Sequence, residues 1–170
     1  MKKAKPWIKV LGFIAGLAVI LMVCDFVFAQ TGYVRFIIHE EKKGGYDTIV
    51  VGASHCRGAI DPQRLDDKLG TNTLNLAIPG ESVQDSYFLI KDAAKNNDIK
   101  TIIFDLDYQY WYYEQPTTHF TKSFIYQQFT DPKVKLEYMA RNFDVLDMRN
   151  VLVNRLSWNM SVSGVKRNVS

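Results

Sequence analysis

The stretch VVGASHCRGAIDP, residues 50–62, decides how this chain is expected to fold. It continues an apolar run that begins at residue 47 and reads DTIVVGAS. A short apolar run without polar alternation is typical of a strand that is buried on both faces. Small residues end the run, and three polar or reactive side chains follow at once: Ser54, His55 and Cys56. We predict a strand, a tight turn and then a helix, with Ser54 at the strand end.

The rest of the chain alternates between helix and strand patterns. Asp61-Pro62 predicts an N-cap followed by proline in the first helical turn, and Gly70 predicts the end of that helix. Next come a strand over 73–80 (TLNLAIPG), a helix capped by Ser82, a strand over 100–108 (KTIIFDLDY) and a helix from Asp131-Pro132 that continues or restarts over 147–156.

The spacing of apolar residues predicts which face each of the later helices buries. The predicted apolar faces are Val83, Tyr87, Ile90 and Ala94 in one helix, and Leu136, Met139, Ala140 and Phe143 in the next.

Strand–helix alternation predicts an α/β fold with a parallel sheet and right-handed crossovers. Three strands are few for such a sheet, which needs its faces and most of its edges covered. Residues 159–170 show no strand pattern. We therefore expect the sheet to be incomplete within these 170 residues.

The N-terminal segment is apolar enough to enter a membrane. VLGFIAGLAVILMVC, residues 10–24, is extended by residues 26–29 to roughly the 20 residues that cross a bilayer. Four lysines lie before residue 10, which places the N-terminus in the cytoplasm and the domain outside. The alternative is a cleaved signal peptide, but the apolar run is long for one. We predict an anchor at 1–29, a polar linker at 30–45 and an α/β domain at 46–170.

Charge and cysteine usage exclude several classes of protein. The four early lysines leave 17 Lys and Arg against 17 Asp and Glu from Gln30 onward. This balance leaves no basic surface for nucleic acid. Cys24 lies in the apolar segment and Cys56 in the domain, so the domain has no disulfide of its own. No metal-ligand spacing is present, and no metal or cofactor is predicted.

Polar residues follow each predicted strand. Ser54 follows the first strand, Gly80 the second, and Asp105 and Asp107 the third. Ligands of open α/β sheets bind at the carboxyl ends of the strands, so these residues are expected to converge. Ser54 could attack an acyl carbon while its own N–H and that of Gly80 stabilise the oxyanion. The alternative is a structural turn that Ser54 merely caps.

The order of these motifs resembles a known superfamily. GASH…IDP, then NLAIPGES, then TIIFDLDY, behind an N-terminal anchor, resembles the membrane-anchored branch of the SGNH/GDSL hydrolases. That branch includes extracytoplasmic acyltransferase-like proteins of Gram-positive bacteria, among them relatives of the protein that assists D-alanylation of teichoic acids. The resemblance covers residues 46–108. It implies a flavodoxin-like, three-layer α/β/α fold with Ser54 as nucleophile and Gly80 as oxyanion donor.

Two features depart from the superfamily pattern. The third block lacks the usual Gly-x-Asn and reads DLDYQ at 105–109, and the closing Asp-x-x-His has no match. A serine without a base is a poor nucleophile at neutral pH. His55 adjoins Ser54 but is expected to point away from it. His119 is expected in a solvated loop, and Asp144 and Asp147 have no histidine at the usual spacing.

Two hypotheses follow for function. One is an SGNH-like esterase or O-acyltransferase acting on a cell-envelope polysaccharide or teichoic acid, with His55, Asp105, Asp107 and Tyr108 as candidate pocket residues. The other is a catalytically inactive, membrane-anchored binding or assembly module. Cys56 is expected to be a buried neutral thiol, and Arg57 is expected to be exposed.

Overall fold

The structure is a mixed α/β fold built on a three-stranded parallel sheet. This computed structural model describes residues 6–28, 32–106, 110, 118–153, 166 and 169. The strands are β1 Thr48–Val51, β2 Thr73–Asn75 and β3 Thr101–Phe104, in the order β2-β1-β3. All four residues of β1 are buried, as the apolar run predicts. The predicted parallel sheet is confirmed.

The described helices surround this sheet and precede it. They are α1 Pro6–Phe28, α2 Tyr33–Lys43, α3 Ser54–Ala59, α4 Pro62–Leu69, α5 Val83–Ala93, α6 His119–Gln128, α7 Pro132–Asn142 and α8 Val145–Val153. Three of them begin at the predicted caps. Asp61 accepts from the N–H of Gln63, Ser82 forms a capping box with Asp85, and Asp131 accepts from the N–H of Lys133 and Val134.

Alternate residues of β1 pack on opposite faces of the sheet. Ile49 and Val51 belong to a large apolar cluster that also contains residues of α2, α5, α6 and α7. Val50 belongs to a smaller cluster with Cys56 of α3, and Leu65 of α4 packs against it. The period-2 geometry of a strand produces this division. Helices therefore cover both faces of β1.

Helix α1 is the apolar helix with which the described part of the chain begins. Its large apolar side chains are exposed, Phe13 by 71 %. By length and composition it is the one described helix that could cross a membrane. The predicted apolar segment is confirmed as a continuous helix.

The predicted polar linker at 30–45 is wrong for most of its length. Residues 33–43 form α2, which buries Val34, Ile37 and Glu41. These positions are three and four residues apart and share one helical face. Most residues of this segment are polar, so its short apolar face does not indicate a helix in the sequence.

The buried faces of two later helices also differ from the predicted faces. In α5, Val83 and Tyr87 are about half exposed and Ala94 lies just beyond the helix; α5 buries Asp85, Ser86, Phe88, Leu89, Asp92 and Ala93. In α7, Leu136 is exposed, whereas Val134 and Tyr138 are buried. Tertiary hydrogen bonds make this possible, since the Tyr138 hydroxyl donates to Asp85 at 2.7 Å.

Strand β3 forms one edge of the sheet that the described residues build, and unlike β1 it is only partly buried. It pairs with β1, and Thr101 and Ile102 at its start are exposed.

Candidate functional site

The serine turn places Ser54 at the carboxyl end of the sheet. Val51 ends β1, and Ser54 is the first residue of α3, with its side chain exposed. Between them Gly52 adopts a φ of 152°, which side-chain-bearing residues rarely adopt. A Cβ on Gly52 would lie 2.6 Å from the Cβ of Asp105 and 2.9 Å from that of Cys56. Asp105 therefore lies directly against the serine turn.

Gly80 lies two residues after Ile78, which contacts the serine turn. The N–H of Ile78 donates to the carbonyl of Gly52 at 3.1 Å, which joins the end of β2 to the serine turn. Gly80 has a φ of 76° and is exposed. A Cβ placed on it would be 3.6 Å from the Oγ1 of Thr121, near the start of α6. The structure thus places Asp105 against the serine turn; His55 is exposed on α3, and Asp107 and Tyr108 lie outside the described residues.

Cys56 is buried under α3 and is a poor nucleophile. Its side chain is 2 % exposed. Burial, together with the nearby charges of Asp105 and Glu81, raises the pKa of the thiol to about 11. A neutral thiol at physiological pH is unreactive, so the expectation for Cys56 is confirmed.

Arg57 is half-buried rather than exposed, which corrects the expectation for it. Its guanidinium lies 3.8 Å from the ring centroid of Tyr33. The Tyr33 ring stacks on Phe124, and Phe124 stacks on Phe120. Arg57 therefore ends a row of stacked rings that joins α3, α2 and α6.

A cleft of about 250 Å³ opens between these elements. Arg57 lines it from α3, Ile78 and Pro79 from the turn after β2, and Phe120, Thr121 and Phe124 from α6. Ser54 lies three residues before Arg57 on the same side of α3. The cleft is therefore lined by residues of α3 and of the segment that leads to Gly80, while Ser54 and Gly80 themselves are not among its lining residues.

His119 is the residue that the sequence analysis misplaced most. It does not lie in a loop but begins α6, whose N-cap is Thr118. Its Nδ1 lies 2.5 Å from the Oδ1 of Asp147 and 3.9 Å from the Oδ2 of Asp144. The sequence has no histidine at the Asp-x-x-His spacing, but the fold gives Asp147 a histidine partner from a distant part of the chain. No spacing rule finds this pair, because the two residues are 28 positions apart and α8 packs against α6 only in the folded chain.

Asp147 is 2 % exposed and ionised. Burial opposes its charge, but hydrogen bonds from His119, the N–H of Asp144 and Lys122 outweigh burial and lower its pKa. The ligand atoms of His119, Asp144 and Asp147 lie within 4.8 Å of one another, a spacing that suits a metal ion. Lys122 Nζ lies 3.1 Å from Asp147 and already supplies the counter-charge. These contacts therefore fit an ion-pair network.

Glu81 is a second residue that the sequence analysis passed over. It is buried behind the two turns, and its carboxylate accepts from the N–H of Gly52 and the N–H of Ile78, both at 2.8 Å, and from Ser86 at 2.5 Å. Burial raises its pKa to about 8, against the lowering effect of these donors. A glutamate next to a Pro-Gly turn usually indicates a solvated surface, so only the structure identifies this one.

No family model, curated protein or solved structure matches the chain.

Proposed function

We propose that this chain is a membrane-anchored SGNH-like esterase or O-acyltransferase that acts on a cell-envelope glycopolymer, with Ser54 as nucleophile. The observation that carries this proposal is the cleft at the carboxyl end of the sheet. It is bordered by the helix that Ser54 begins, the turn that holds Gly80 and the helix that His119 begins.

The strand order supports the flavodoxin-like part of the proposal. Flavodoxin-like sheets begin with the order 2-1-3, and the described strands follow β2-β1-β3. Helices on both faces of β1 suit a three-layer α/β/α arrangement. In such sheets the ligand site lies where the strand order reverses, which here is between β1 and β3. Ser54 follows β1, and Asp105 follows β3.

The proposed chemistry assigns one role to each element around the cleft. The Oγ of Ser54 attacks the ester carbonyl as its proton passes to the Nε2 of His119, whose Nδ1 is held by Asp147. The N–H groups of Ser54 and Gly80 stabilise the oxyanion. The alcohol leaves with the proton, and water or a hydroxyl of the glycopolymer then takes the acyl group from Ser54.

The cleft suits a short acyl group. Its volume of about 250 Å³ lies below the roughly 300–1,000 Å³ of sites that enclose a whole small molecule. Its wall is largely apolar, with Ile78, Pro79, Phe120 and Phe124. We therefore assign the acyl group to the cleft and the sugar to the open surface beside Ser54.

A second candidate function is a catalytically inactive binding or assembly module with the same fold. The observation that favours it is the pair of carboxylates at the serine turn, Asp105 and Glu81, both close enough to raise the pKa of Cys56. The charge of Asp105 opposes a developing oxyanion, and Glu81, whose pKa is raised to about 8, adds to this charge only at alkaline pH.

Labelling with a fluorophosphonate probe separates the two functions. We expect the full chain in detergent to be labelled, Ser54→Ala to remove the label and Cys56→Ala to retain it, because the thiol is buried and neutral. Gel fluorescence and mass spectrometry of the labelled peptide measure the result. Absence of label on the folded wild-type chain would establish the inactive module.

The same probe tests the assigned base. We expect His119→Ala to slow labelling by about 10²–10⁴-fold, the usual contribution of a general base. His39→Ala is the matched control, since His39 is exposed on α2. If His55→Ala slows labelling and His119→Ala does not, the base is His55 and the His119–Asp147 pair only joins α6 to α8.

The membrane part of the proposal predicts one N-terminal span with the domain outside the cell. Helix α1 has 23 residues, and the lysines lie at its N-terminal end. Protease added to intact cells is expected to remove the domain and to leave a small membrane-bound fragment, as detected with an N-terminal tag. A domain that stays protected until the cells are lysed would contradict this topology.

A further inference from the structure

Glu81 joins the two turns on which the proposed chemistry depends. Its Oε1 accepts from the N–H of Gly52, just before Ser54, and its Oε2 accepts from the N–H of Ile78, just before the turn that holds Gly80. Both distances are 2.8 Å, typical of strong hydrogen bonds to a carboxylate. One side chain therefore bridges the segments that carry the nucleophile and an oxyanion donor.

The environment of Glu81 holds its carboxylate in one orientation. The residue is 4 % exposed, and the hydroxyl of Ser86 donates to Oε1. Its own N–H donates to the carbonyl of Ile78 at 3.1 Å, so its backbone is part of the same turn. The Glu81 carboxylate therefore accepts three hydrogen bonds from groups of the protein itself. A buried acid with this set of partners is held firmly and can hold other groups in turn.

Burial of an acid at this place is costly and is not required by the apolar core. The two apolar clusters formed by the described residues do not include Glu81, and a hydrophobic residue would avoid the cost of desolvation. The backbone N–H of Gly52 and Ile78 would then lose their carboxylate partner, although Ile78 would keep its contact with Gly52. The contribution of Glu81 is therefore its pair of hydrogen bonds to the two turns.

We infer that Glu81 is a positioning residue, which fixes the serine turn relative to the Gly80 turn through the N–H groups of Gly52 and Ile78. This inference rests on the proposed function of Ser54. Misplacement of a reacting group by about 1 Å can slow a reaction about 10²-fold. Glutamine at this position offers one acceptor oxygen and turns an NH₂ group towards the other N–H, so it cannot hold both turns.

The test compares Glu81→Gln with the wild-type chain by two measurements. The first is the maximal rate of fluorophosphonate labelling at saturating probe and at a pH above 8, where Glu81 is ionised, and the second is hydrogen–deuterium exchange at the amides of Gly52 and Ile78. We expect labelling to slow by at least about 10-fold at unchanged probe affinity, and exchange to accelerate at one or both amides. Ser86→Ala should slow labelling less, because it removes only one of the three donors.

Asp85→Asn is the matched control. Asp85 is as buried as Glu81 and lies close enough to influence its pKa, but the hydrogen bonds to its carboxylate come from Tyr138 and Ser82 and not from Gly52 or Ile78. Its labelling rate should equal that of the wild type even where its stability falls.

Each outcome has one meaning. A wild-type chain that is not labelled overturns the proposed function and this inference with it. A wild-type chain that is labelled, with a rate unchanged in Glu81→Gln, overturns the inference alone. Should Glu81→Gln fail to fold, an unchanged rate in Ser86→Ala overturns it.

Discussion

Gly52→Ala is expected to destabilise the protein by about 2–6 kcal/mol, the sum of about 1–3 kcal/mol for a strained backbone and about 1–3 kcal/mol for overpacking. The φ of Gly52 is 152°, which disfavours any residue with a Cβ. The new methyl group would also lie 2.6 Å from the Cβ of Asp105 and 2.9 Å from that of Cys56, so the serine turn and the end of β3 must move apart.

Gly58→Ala is the control for this substitution. Gly58 lies in α3, four residues after Ser54, and a Cβ there would meet no atom within 4 Å. Alanine in a helix is favoured over glycine by roughly 0.5–1 kcal/mol, so Gly58→Ala should be slightly stabilising. Chemical denaturation of both variants gives the two free energies of unfolding. Equal stability of Gly52→Ala and the wild type would mean that the serine turn is not built as described.

Glu41→Gln is expected to change the pH dependence of stability more than the substitution of any other carboxylate that the structure describes. Glu41 is 1 % exposed on α2, and its Oε2 has no hydrogen-bond partner in the described part of the chain. Burial, followed by the charge of Asp92 and a hydrogen bond with it, raises the pKa of Glu41 to about 9. Asp92 already accepts from Thr130 and the N–H of Asp131, so the protonated Glu41 is the donor in their contact.

The sign of this effect follows from the raised pKa. The folded chain holds the proton of Glu41 up to about pH 9, whereas the unfolded chain releases it near the ordinary glutamate pKa of 4.5. Glu41 therefore makes its full contribution to stability below about pH 4.5. Between about pH 4.5 and pH 9 the free energy of unfolding falls by roughly 1.4 kcal/mol per pH unit as the pH rises. Glutamine keeps an N–H donor for Asp92 but has no proton to lose, so the slope should decrease by about that amount.

Urea denaturation between pH 5 and pH 8 measures the slope. Glu81, with a pKa raised to about 8, adds a slope of the same sign, which should remain in Glu41→Gln. Glu40→Gln on the same helix is the control, because the hydrogen bond from Tyr46 lowers the pKa of Glu40 and takes its titration out of this window. A slope that is identical in Glu41→Gln and the wild type would show that Glu41 is ionised in the folded protein.

Features that depend on neighbouring residues could be predicted from the sequence. The caps at Asp61, Ser82 and Asp131 work through hydrogen bonds to N–H groups two or three positions away. The apolar run at 47–54 predicts β1, and the small residues that end it predict the turn before Ser54. Such contacts are present in any fold that forms these elements, so local patterns suffice for them.

Features that depend on packing appear only in the tertiary structure. α2 and α5 both bury acidic side chains, which the polar sequences of these segments do not predict. Glu41, Asp85 and Asp92 can be buried because residues distant in the sequence supply their partners. The candidate site follows the same division. Order along the chain places Ser54 and Gly80 at one end of the sheet, whereas the pairing of His119 with Asp147 and the bridge made by Glu81 arise when separate elements meet. Burial makes a polar group costly unless a partner is near, and which partner is near is decided by the fold.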